Sequence, residues 1–486
     1  MVIQDKIQEI LKIENLKYTY PSYPGLEFPE LLSGINLTVN SGDFVIILGK
    51  PESGKSTLLK TILSLIPRYT NGKISGIIEY KKTSINTYKP FDLIDKIGAV
   101  FQNPDEQIFT TSCETEIAFA LESLGLDREE MNRRVDLALK QLKIENLKLR
   151  NPAAMSGGEK KKLLLACLYA ADPSLWLLDE IIDELDPGAA LNIIQNIIKE
   201  KRTVILFSSK MMDLFKSIPC RIFVLKDGNL LDSKKTNNND FQKLLIEEGL
   251  IIDHNKTIIK PEQIAIPDPL VSIKNLKYHY PDNSEFNLFI ENFHIDRGEI
   301  ISLAGKNGSG KSTLGKVIAG LKKKESGNLC VHEKNNFPCG YIFQNPDYQI
   351  FLPTVEEELT YGLKLTDSEI ENTIKKFKLP NKNVPPTLMS YGARKRLQAG
   401  VYYLIEKDIY ILDEADAGLS LEDFDILINL LYKKDNSILI ISHNLELCSL
   451  YSNRVYLIDT GKIVKVIDNN IHSELNYFFT NGITKI

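Results

Sequence analysis

Gly49-Lys50-Pro51-Glu52-Ser53-Gly54-Lys55-Ser56-Thr57 follows a short apolar run, and the same arrangement returns as Gly305-Lys306-Asn307-Gly308-Ser309-Gly310-Lys311-Ser312-Thr313. Both segments fit the pattern Gly-x-x-x-x-Gly-Lys-Ser, in which backbone N–H groups surround phosphate oxygens and the glycines allow the close approach. The helix that follows such a loop adds the positive end of its dipole. Chance places this pattern in only a few per cent of chains of this length, roughly. Two copies therefore predict two nucleotide-binding loops.

The lysines and serines that end the two loops supply the chemistry. The ammonium groups of Lys55 and Lys311 are expected to reach the β- and γ-phosphates of a nucleotide, and the hydroxyls of Ser56 and Ser312 are expected to hold Mg²⁺. The other predicted contacts of the two loops are Gly49, Ser53, Gly54, Thr57, Gly305, Gly308, Ser309, Gly310 and Thr313.

Further segments repeat in the same order, so the loops belong to an internal duplication. Met-Ser-Gly-Gly-Glu at 155–159 returns as Met-Ser-Tyr-Gly-Ala at 389–393, and Leu-Leu-Asp-Glu at 177–180 returns as Ile-Leu-Asp-Glu at 411–414. Both pairs are separated by the same offset of 234 residues. The downstream half of each copy is therefore aligned without gaps.

The duplication predicts the domain organisation. A chain of 486 residues is too long for one ordinary core and suits two domains. Each copy opens with the same strand-like aromatic segment, Ile13 to Pro21 and Ile273 to Pro281. We expect a first domain at 1–240, a linker at 241–268 and a second domain at 269–486.

Short apolar runs alternate with helix-like segments in each copy, which favours an α/β fold built on a mainly parallel sheet. The strand candidates are 44–48, 174–178 and 204–207 in the first copy and 300–304, 408–412 and 438–441 in the second. Gln102 and Ser156 are separated by 54 residues, whereas Gln344 and Ser390 are separated by 46. We therefore expect a helical subdomain in each copy, and a shorter one in the second.

Two adjacent carboxylates end one apolar run of each copy. Asp179 and Asp413 can bind Mg²⁺ through its water shell, and the following Glu180 and Glu414 can polarise an attacking water. A carboxylate at a strand end is often only a solvated edge. The position of this pair downstream of a glycine loop favours the catalytic interpretation.

Composition indicates a globular protein without a nucleic-acid footprint. Hydrophobic residues make up 43%, charged residues 25%, and the net charge is −5. The basic cluster Lys160 to Lys162 is interpreted as a solvated helix face. The six cysteines show no Cys-x-x-Cys pair, which favours reduced thiols over a metal site. The longest apolar runs fall short of the roughly 20 residues that span a bilayer, and the N-terminus does not resemble a signal peptide.

The segment at 155–159, just upstream of Leu-Leu-Asp-Glu, resembles the signature motif of ATP-binding-cassette (ABC) ATPases. The resemblance covers nearly the whole chain and implies two tandem ABC-type P-loop ATPase domains that use ATP and Mg²⁺. By this resemblance Tyr20 and Tyr280 stack on adenine, with packing in an edge strand as the structural alternative. The signature residues expected to contact ATP are Ser156, Gly157, Gly158, Glu159, Ser390 and Gly392.

The resemblance also implies the catalytic and metal-binding sets. Glu180 and Glu414 become the catalytic bases, and His443 becomes the switch histidine that contacts the γ-phosphate. Gln102 and Gln344 become the glutamines that sense the γ-phosphate and the membrane partner. The implied Mg²⁺ ligands are Ser56, Gln102, Asp179, Ser312, Gln344 and Asp413.

In this family two units pair head to tail, so each ATP lies between the glycine loop of one unit and the signature of the other. The site that uses the second loop and the first signature has every element. The opposite site departs from the pattern at four positions: Ser209 in place of the histidine, Tyr391 and Ala393 in the signature, and Ser420 in place of the aspartate present as Asp186 in the first copy. All four departures fall on one site, which is therefore expected to be degenerate.

A finer resemblance lies in Phe101 to Phe109 and Phe343 to Phe351, which share the pattern Phe-Gln-Asn-Pro-Asp-x-Gln-Ile-Phe. These segments are similar to the glutamine loops of energy-coupling-factor (ECF) transporter ATPases, which power uptake of vitamins and transition-metal ions. This similarity implies two membrane partners, a transmembrane coupling subunit and a substrate-binding subunit, at the cytoplasmic face of the membrane. A core-packed turn is the structural alternative.

Other functions stay open at this stage. The tandem ATPase of a sugar-type ABC importer has a similar length, although the twin Gln-Asn-Pro-Asp segments disfavour it. A soluble ABC ATPase acting on ribosomes or DNA usually carries a long charged linker, a basic extension or an iron–sulfur domain, and the sequence contains none of these. A non-enzymatic ATP-binding regulator is disfavoured because one site is complete.

Overall fold

A computed structural model describes residues 8–21, 29–182, 185, 187–211, 213–251, 268–280, 283–332, 338–468, 471 and 473–475. The chain divides into two compact units. Each unit is described by itself below.

The first unit contains ten strands and seven α-helices among these residues. The strands are β1 (Glu9–Thr19), β2 (Leu32–Asn40), β3 (Phe44–Leu48), β4 (Lys73–Tyr80), β5 (Thr83–Ser84), β6 (Ile97–Val100), β7 (Leu175–Asp179), β8 (Val204–Ser208), β9 (Arg221–Lys226) and β10 (Asn229–Asp232). The helices are α1 (Lys55–Ile62), α2 (Cys113–Glu122), α3 (Arg128–Gln141), α4 (Gly157–Ala171), α5 (Pro187–Lys199), α6 (Asp213–Lys216) and α7 (Asn238–Glu247).

The second unit contains nine strands and six α-helices in its described part. The strands are β11 (Pro269–Tyr280), β12 (Asn283–Asp296), β13 (Ile300–Ala304), β14 (Ser326–Val331), β15 (Cys339–Ile342), β16 (Ile409–Asp413), β17 (Ser437–Ile441), β18 (Arg454–Asp459) and β19 (Lys462–Ile467). The helices are α8 (Lys311–Ile318), α9 (Val355–Thr360), α10 (Asp367–Lys376), α11 (Tyr391–Ile405), α12 (Leu421–Leu431) and α13 (Leu445–Tyr451).

A six-stranded sheet forms the centre of each unit, in the order β10-β9-β3-β8-β7-β6 and β15-β16-β17-β13-β18-β19. All neighbours are parallel except the edge strands β10 and β19, which pair antiparallel. The strands that lead to the predicted site are buried along their whole length, which explains their continuous apolar sequences. The α/β prediction with a mainly parallel sheet is confirmed.

The parallel arrangement brings the predicted functional residues to one edge of each sheet. The glycine loop follows β3, Asp179 ends β7, and Ser209 follows β8. Because the carboxyl ends of parallel strands meet at the same edge, residues distant in sequence converge there. The second unit repeats this arrangement with β13, β16 and β17.

The helical subdomain of each unit lies between the glutamine and the signature. In the first unit α2 has 10 residues and α3 has 14, and in the second α9 has 6 and α10 has 10. The expected shorter insert of the second copy is confirmed.

The segment predicted as a linker contains structure of its own. Helix α7 overlaps its beginning, and Leu245 and Leu250 are buried in the same core as α4 and α5 of the first unit. The domain boundaries at 240 and 268 stay a prediction. Among the described residues no helix is both long and apolar enough to cross a membrane. All six cysteines are free thiols.

A smaller antiparallel sheet in each unit depends on a bulge in its long strand. Asn15 in β1 and Asn275 in β11 have left-handed φ values of 47° and 49°. At these residues the pairing of β1 with β4 and of β11 with β14 shifts register. Gly76 and Gly327 lie against these bulges. A Cβ atom at Gly76 would be 2.4 Å from the carbonyl oxygen of Asn15. The repeated Asn-Leu-Lys-Tyr segment therefore requires glycine on the neighbouring strand.

We predict that Gly76→Ala destabilises the first unit strongly. Its φ of 99° and the backbone contact at 2.4 Å together cost roughly 3 kcal/mol or more of unfolding free energy. Gly125→Ala is the matched control, because Gly125 has a φ of 67° and no atom within 4 Å of the added Cβ. It should cost about 1 kcal/mol. Urea unfolding of both variants checks the difference, and equal costs would contradict the packing explanation.

Candidate functional site

Each glycine loop joins the carboxyl end of a central strand to a helix. Helix α1 begins at Lys55 and α8 begins at Lys311, directly after the last glycine of each loop. Those glycines, Gly54 and Gly310, have φ values of 103° and 105°. Glycine adopts this conformation without steric cost, which is the local reason for Gly-Lys at this point of the pattern.

The loop lysines are buried and reach back to their own loops. Lys55 Nζ donates to the carbonyl oxygens of Gly49 at 2.6 Å and Lys50 at 3.0 Å. Lys311 makes the same two contacts in its loop, at 2.9 and 3.1 Å. The loop is thereby curled around the ammonium group that is predicted to meet phosphate.

The geometry of both loops fits a bound phosphate. The hydroxyls of Ser53 and Ser309 are buried and have no hydrogen-bond partner among the residues that the structure describes. A buried hydroxyl without a partner costs free energy, whereas a phosphate oxygen would accept its proton. Both serines were predicted as ATP contacts.

In the first unit the glutamate that is predicted to act as the base is paired with the loop lysine. Glu180 Oε1 lies 3.3 Å from Lys55 Nζ, and Gln102 Nε2 donates to Glu180 Oε2 at 2.7 Å. Burial and the charge of Glu180 raise the pKa of Asp179 to about 6. The structure thus brings together the predicted lysine, glutamine and carboxylates.

In the second unit the histidine joins the same group. Gln344 Nε2 donates to Glu414 Oε2 at 2.9 Å, and His443 Nδ1 lies 3.7 Å from Glu414 Oε1. Burial alone would raise the pKa of Glu414, but His443 together with Lys311 and Lys395 holds it at about 2. Glu414 is therefore ionised at neutral pH, as a base that polarises water must be.

The backbone of both glutamates is held in an unusual conformation. Glu180 and Glu414 have φ values of 52° and 47°, and their amides donate to the carbonyls of Phe207 at 3.0 Å and Ile441 at 2.8 Å. In the second unit Lys395 Nζ also donates to the carbonyl of Glu414 at 2.9 Å. These contacts compensate for the strain of a left-handed residue and fix the direction of its side chain.

The residues predicted to bind Mg²⁺ carry hard oxygen donors, which that ion prefers. Ser312 Oγ donates to Asp413 Oδ1 at 2.7 Å, and Tyr341 donates to Asp413 Oδ2 at 2.5 Å. In the first unit Ser56 also hydrogen-bonds to Asp179, and this contact offsets a small part of the rise in the pKa of that carboxyl group that burial and Glu180 cause. These residues could hold Mg²⁺ beside the phosphates.

The predicted adenine-stacking tyrosines lie next to the glycine-loop helices. The hydroxyl of Tyr20 is 2.9 Å from Thr57 Oγ1, and that of Tyr280 is 3.0 Å from Thr313 Oγ1. Both tyrosines are half-buried; Tyr20 directly follows β1, and Tyr280 is the last residue of β11. The stacking itself stays a prediction.

The signature segments start helices. Ser156 caps α4 in a box, in which Ser156 N donates to Glu159 Oε2 at 2.8 Å and Glu159 N donates to Ser156 Oγ. Gly157 and Gly158 form the first turn of that helix. Ser390 caps α11 through the amide of Ala393 at 3.1 Å, but alanine cannot complete the box.

The substituted signature makes contacts that the sequence did not predict. Tyr391 donates its hydroxyl to the carbonyl of Gln344 at 2.8 Å. A Cβ atom at Gly392 would be 2.6 Å from the carbonyl oxygen of Gly418, so packing within the unit requires this glycine. Asp186 lies outside the described residues, whereas Ser420 caps α12.

The basic cluster after the first signature is not a solvated face, so that prediction is wrong. The side chains of Lys160 and Lys161 are buried. Lys160 Nζ pairs with Asp105 Oδ1 at 2.5 Å. Basic residues near a functional helix can serve internal ion pairs, which a run of three lysines does not reveal.

Two glycine loops, each with an aligned glutamine, a strand-end carboxylate pair and a helix-capping signature, define a tandem nucleotide-binding ATPase. The family model described as "ABC transporter" matches residues 32–183 and 290–417. The chain therefore belongs to the ABC transporter family, and its two units are tandem ABC ATPase domains. Members of this family generally bind ATP with Mg²⁺.

Relatives and solved structures agree with this assignment. A Methanosarcina mazei protein, provisionally named an ABC transporter ATP-binding protein, is 31% identical over 484 residues, 94% of either chain. A Treponema denticola protein with the same provisional name is 29% identical, covering 93% of this chain and 96% of its own. In fold, the chain is similar to the archaeal ribosome recycling factor aABCE1, with a TM-score of 0.62 at 18% identity, over 96% and 92% of the two chains.

We predict that Asp179→Asn stabilises the nucleotide- and Mg²⁺-free first unit at high pH. The folded-state pKa of about 6 lies above the unfolded value of about 4, so ionisation costs the folded state stability above pH 6, and the cost disappears below about pH 4. Asparagine removes this cost, which corresponds to roughly 1–3 kcal/mol. Thermal unfolding in EDTA should show a clear gain at pH 8 that falls to about a third of that value at pH 4.5.

Asp413→Asn is the control for this prediction, because both oxygens of Asp413 accept hydrogen bonds that an amide nitrogen cannot accept. It should lower stability instead of raising it. A gain at Asp179 that did not depend on pH would contradict the proposed cause.

Proposed function

We propose that the chain is the ATP-hydrolysing energy-coupling subunit of an ECF-type membrane importer for a vitamin or a transition-metal ion. In this proposal the units pair head to tail, and the chain works at the cytoplasmic face of the membrane with a transmembrane coupling subunit and a substrate-binding subunit. The observation that carries the proposal is the matched construction of the segment after Gln102 and Gln344.

The second glutamine of each segment ties the turn back to the sheet. Gln107 Oε1 accepts from the amide of Phe101 at 2.7 Å, and its Nε2 donates to the carbonyl of Ala99 at 3.2 Å. Gln349 makes the same pair of contacts in the second unit, at 3.1 and 2.9 Å. These backbone contacts explain why each segment has a second glutamine five residues after the first. They also support the proposal that the turn is preformed for docking.

A buried carboxylate fixes the end of each segment. Glu116 in α2 accepts from the amides of Phe109 and Thr110, at 3.0 and 2.8 Å. Glu358 in α9 accepts from the corresponding amides in the second unit, at 3.2 and 2.7 Å. The backbone is thereby rigid at the point where an aromatic side chain projects into solvent.

The projecting aromatic side chains form one exposed pair in each unit. Phe109 is 74% exposed and lies edge to face against Phe119, with ring centroids 6.4 Å apart. Phe351 is 70% exposed and lies against Tyr361 at 6.0 Å. Exposed aromatic pairs on a rigid turn suit the reception of an amphipathic helix from a partner. We name them the aromatic pairs.

The two ATP sites divide the work in this proposal. The site with Glu414 and His443 performs most turnover, and the site with Glu180 and Ser209 binds ATP and holds the units together. A missing donor to the γ-phosphate typically costs roughly 10²–10³ in rate. The ion pair between Glu180 and Lys55 is consistent with this division, because it occupies an oxygen of the carboxylate that would have to polarise water.

Substitution of the two glutamates tests the division. We predict that Glu414→Gln abolishes nearly all steady-state ATPase activity, whereas Glu180→Gln leaves at least half. The amide keeps the size of the side chain but cannot act as a base. ATP binding is measured alongside in both variants as a control for folding. Equal losses of activity would contradict the division.

Affinity purification from gently solubilised membranes tests the coupling role. We predict that the tagged chain recovers a polytopic membrane protein and a small hydrophobic subunit, and that Phe109→Ala with Phe351→Ala loses both without losing ATPase activity. Tyr69→Ala with Leu321→Ala is the matched control, because these exposed residues follow α1 and α8 instead. Recovery of ribosomes, or of no membrane protein, would replace the proposal with a soluble ABC ATPase.

A further inference from the structure

The Mg²⁺-binding aspartate of the second unit has a partner that its counterpart lacks. Tyr341 lies on β15, next to β16, and its hydroxyl donates to Asp413 Oδ2 at 2.5 Å while Ser312 donates to Oδ1. Both oxygens of the carboxylate are therefore held. The tyrosine is almost completely buried, so water does not compete for this contact.

Alanine occupies the equivalent position in the first unit. Ala99 and Tyr341 each lie three residues before the aligned glutamines. Asp179 Oδ1 is buried without a hydrogen-bond partner in the described part of the chain. The methyl group of Ala99 cannot donate a hydrogen bond. Asp179 therefore lacks the contact that Tyr341 supplies to Asp413.

We propose that Tyr341 is a positioning residue of the Mg²⁺ site in the second unit. It holds Asp413 in the orientation that meets the ion, and its absence leaves the site of the first unit less ordered before Mg²⁺ arrives. Partners behind a metal ligand typically change metal affinity by about 10–100-fold. The inference rests on the proposed ATP and Mg²⁺ site and adds a second difference between the two units.

The geometry of the phenol suits this role. Its hydroxyl donates to Asp413 Oδ2 from a buried position. A phenol-to-carboxylate bond is charge-assisted and short, and it restricts rotation of the carboxylate. The ring also packs against Phe343, with centroids 4.8 Å apart, which fixes the hydroxyl in turn.

The experiment measures Mn²⁺ binding to one site of the full chain. The substitution Lys55→Ala is made to prevent nucleotide and Mn²⁺ binding at the first glycine loop. The non-hydrolysable analogue AMP-PNP then occupies the second loop. Free Mn²⁺ is followed by electron paramagnetic resonance during titration. We expect Tyr341→Phe in this background to raise the Mn²⁺ dissociation constant about tenfold. The affinity for AMP-PNP in EDTA should stay within about twofold, because phenylalanine preserves the packing.

Tyr451→Phe is the matched control. Tyr451 is also a buried tyrosine of the second unit whose hydroxyl donates to an aspartate, Asp425, at 3.1 Å, but it is outside the nucleotide-binding residues. It should leave the Mn²⁺ constant unchanged. An unchanged constant in Tyr341→Phe, or an equal rise in Tyr451→Phe, would overturn the inference. Failure of the Lys55→Ala protein itself to bind Mn²⁺ with AMP-PNP would overturn the proposed ATP site as well.

Discussion

The buried ammonium group at the end of each glycine loop is the charge on which the rest of the site depends. Lys55 and Lys311 are each 4% exposed, and a charge removed from water costs several kcal/mol unless it is paired, roughly. The loop carbonyls supply part of the compensation, which forces the loop to curl tightly. A Cβ atom at Gly49 would be 2.5 Å from Ser53 Oγ, so the curl in turn requires glycine. The parallel strands then bring carboxylates to the same edge.

The two units share the same loop and strand geometry but differ in the charged neighbour of the glutamate. Both glutamates sit in the left-handed conformation and hydrogen-bond to the neighbouring strand, so the backbone is the same. The carboxylate of Glu180 pairs with the loop lysine at 3.3 Å, whereas Glu414 lies beside His443. The first unit has Ser209 at the position of His443, and its glutamate is paired with the loop lysine instead. This difference is a physical basis for the unequal turnover that we propose.

The sequence predicted the elements whose chemistry is local and missed those that depend on long-range contacts. Glycine loops and strand-end carboxylates are recognisable because a few adjacent residues define them. The hydrogen bond of Tyr341 was missed because a tyrosine within an apolar strand is usually interpreted as a core residue. Its partner, Asp413, is also 72 residues away. The contact of Lys395 with Glu414 and the burial of Lys161 were missed because basic residues after the start of a helix are typical of a solvated face. Twin positions such as Gln107 and Gln349 were visible as repeats, but only the backbone contacts explain them.

Ion pairs connect the glutamine segment of each unit to its signature helix, and one signature substitution of the second copy adds to this connection. Lys160 pairs with Asp105 at 2.5 Å, and Arg394 pairs with Asp347 at 3.2 Å, so each turn is fastened to the start of its signature helix. In the proposed coupling role, a displacement of the turn by a partner would reach that helix through these ion pairs. Tyr391 adds a hydrogen bond to the glutamine loop of its own unit, which the glycine of the first copy cannot make. The tyrosine that departs from the signature pattern thus adds a connection between the glutamine segment and the signature helix of its own unit.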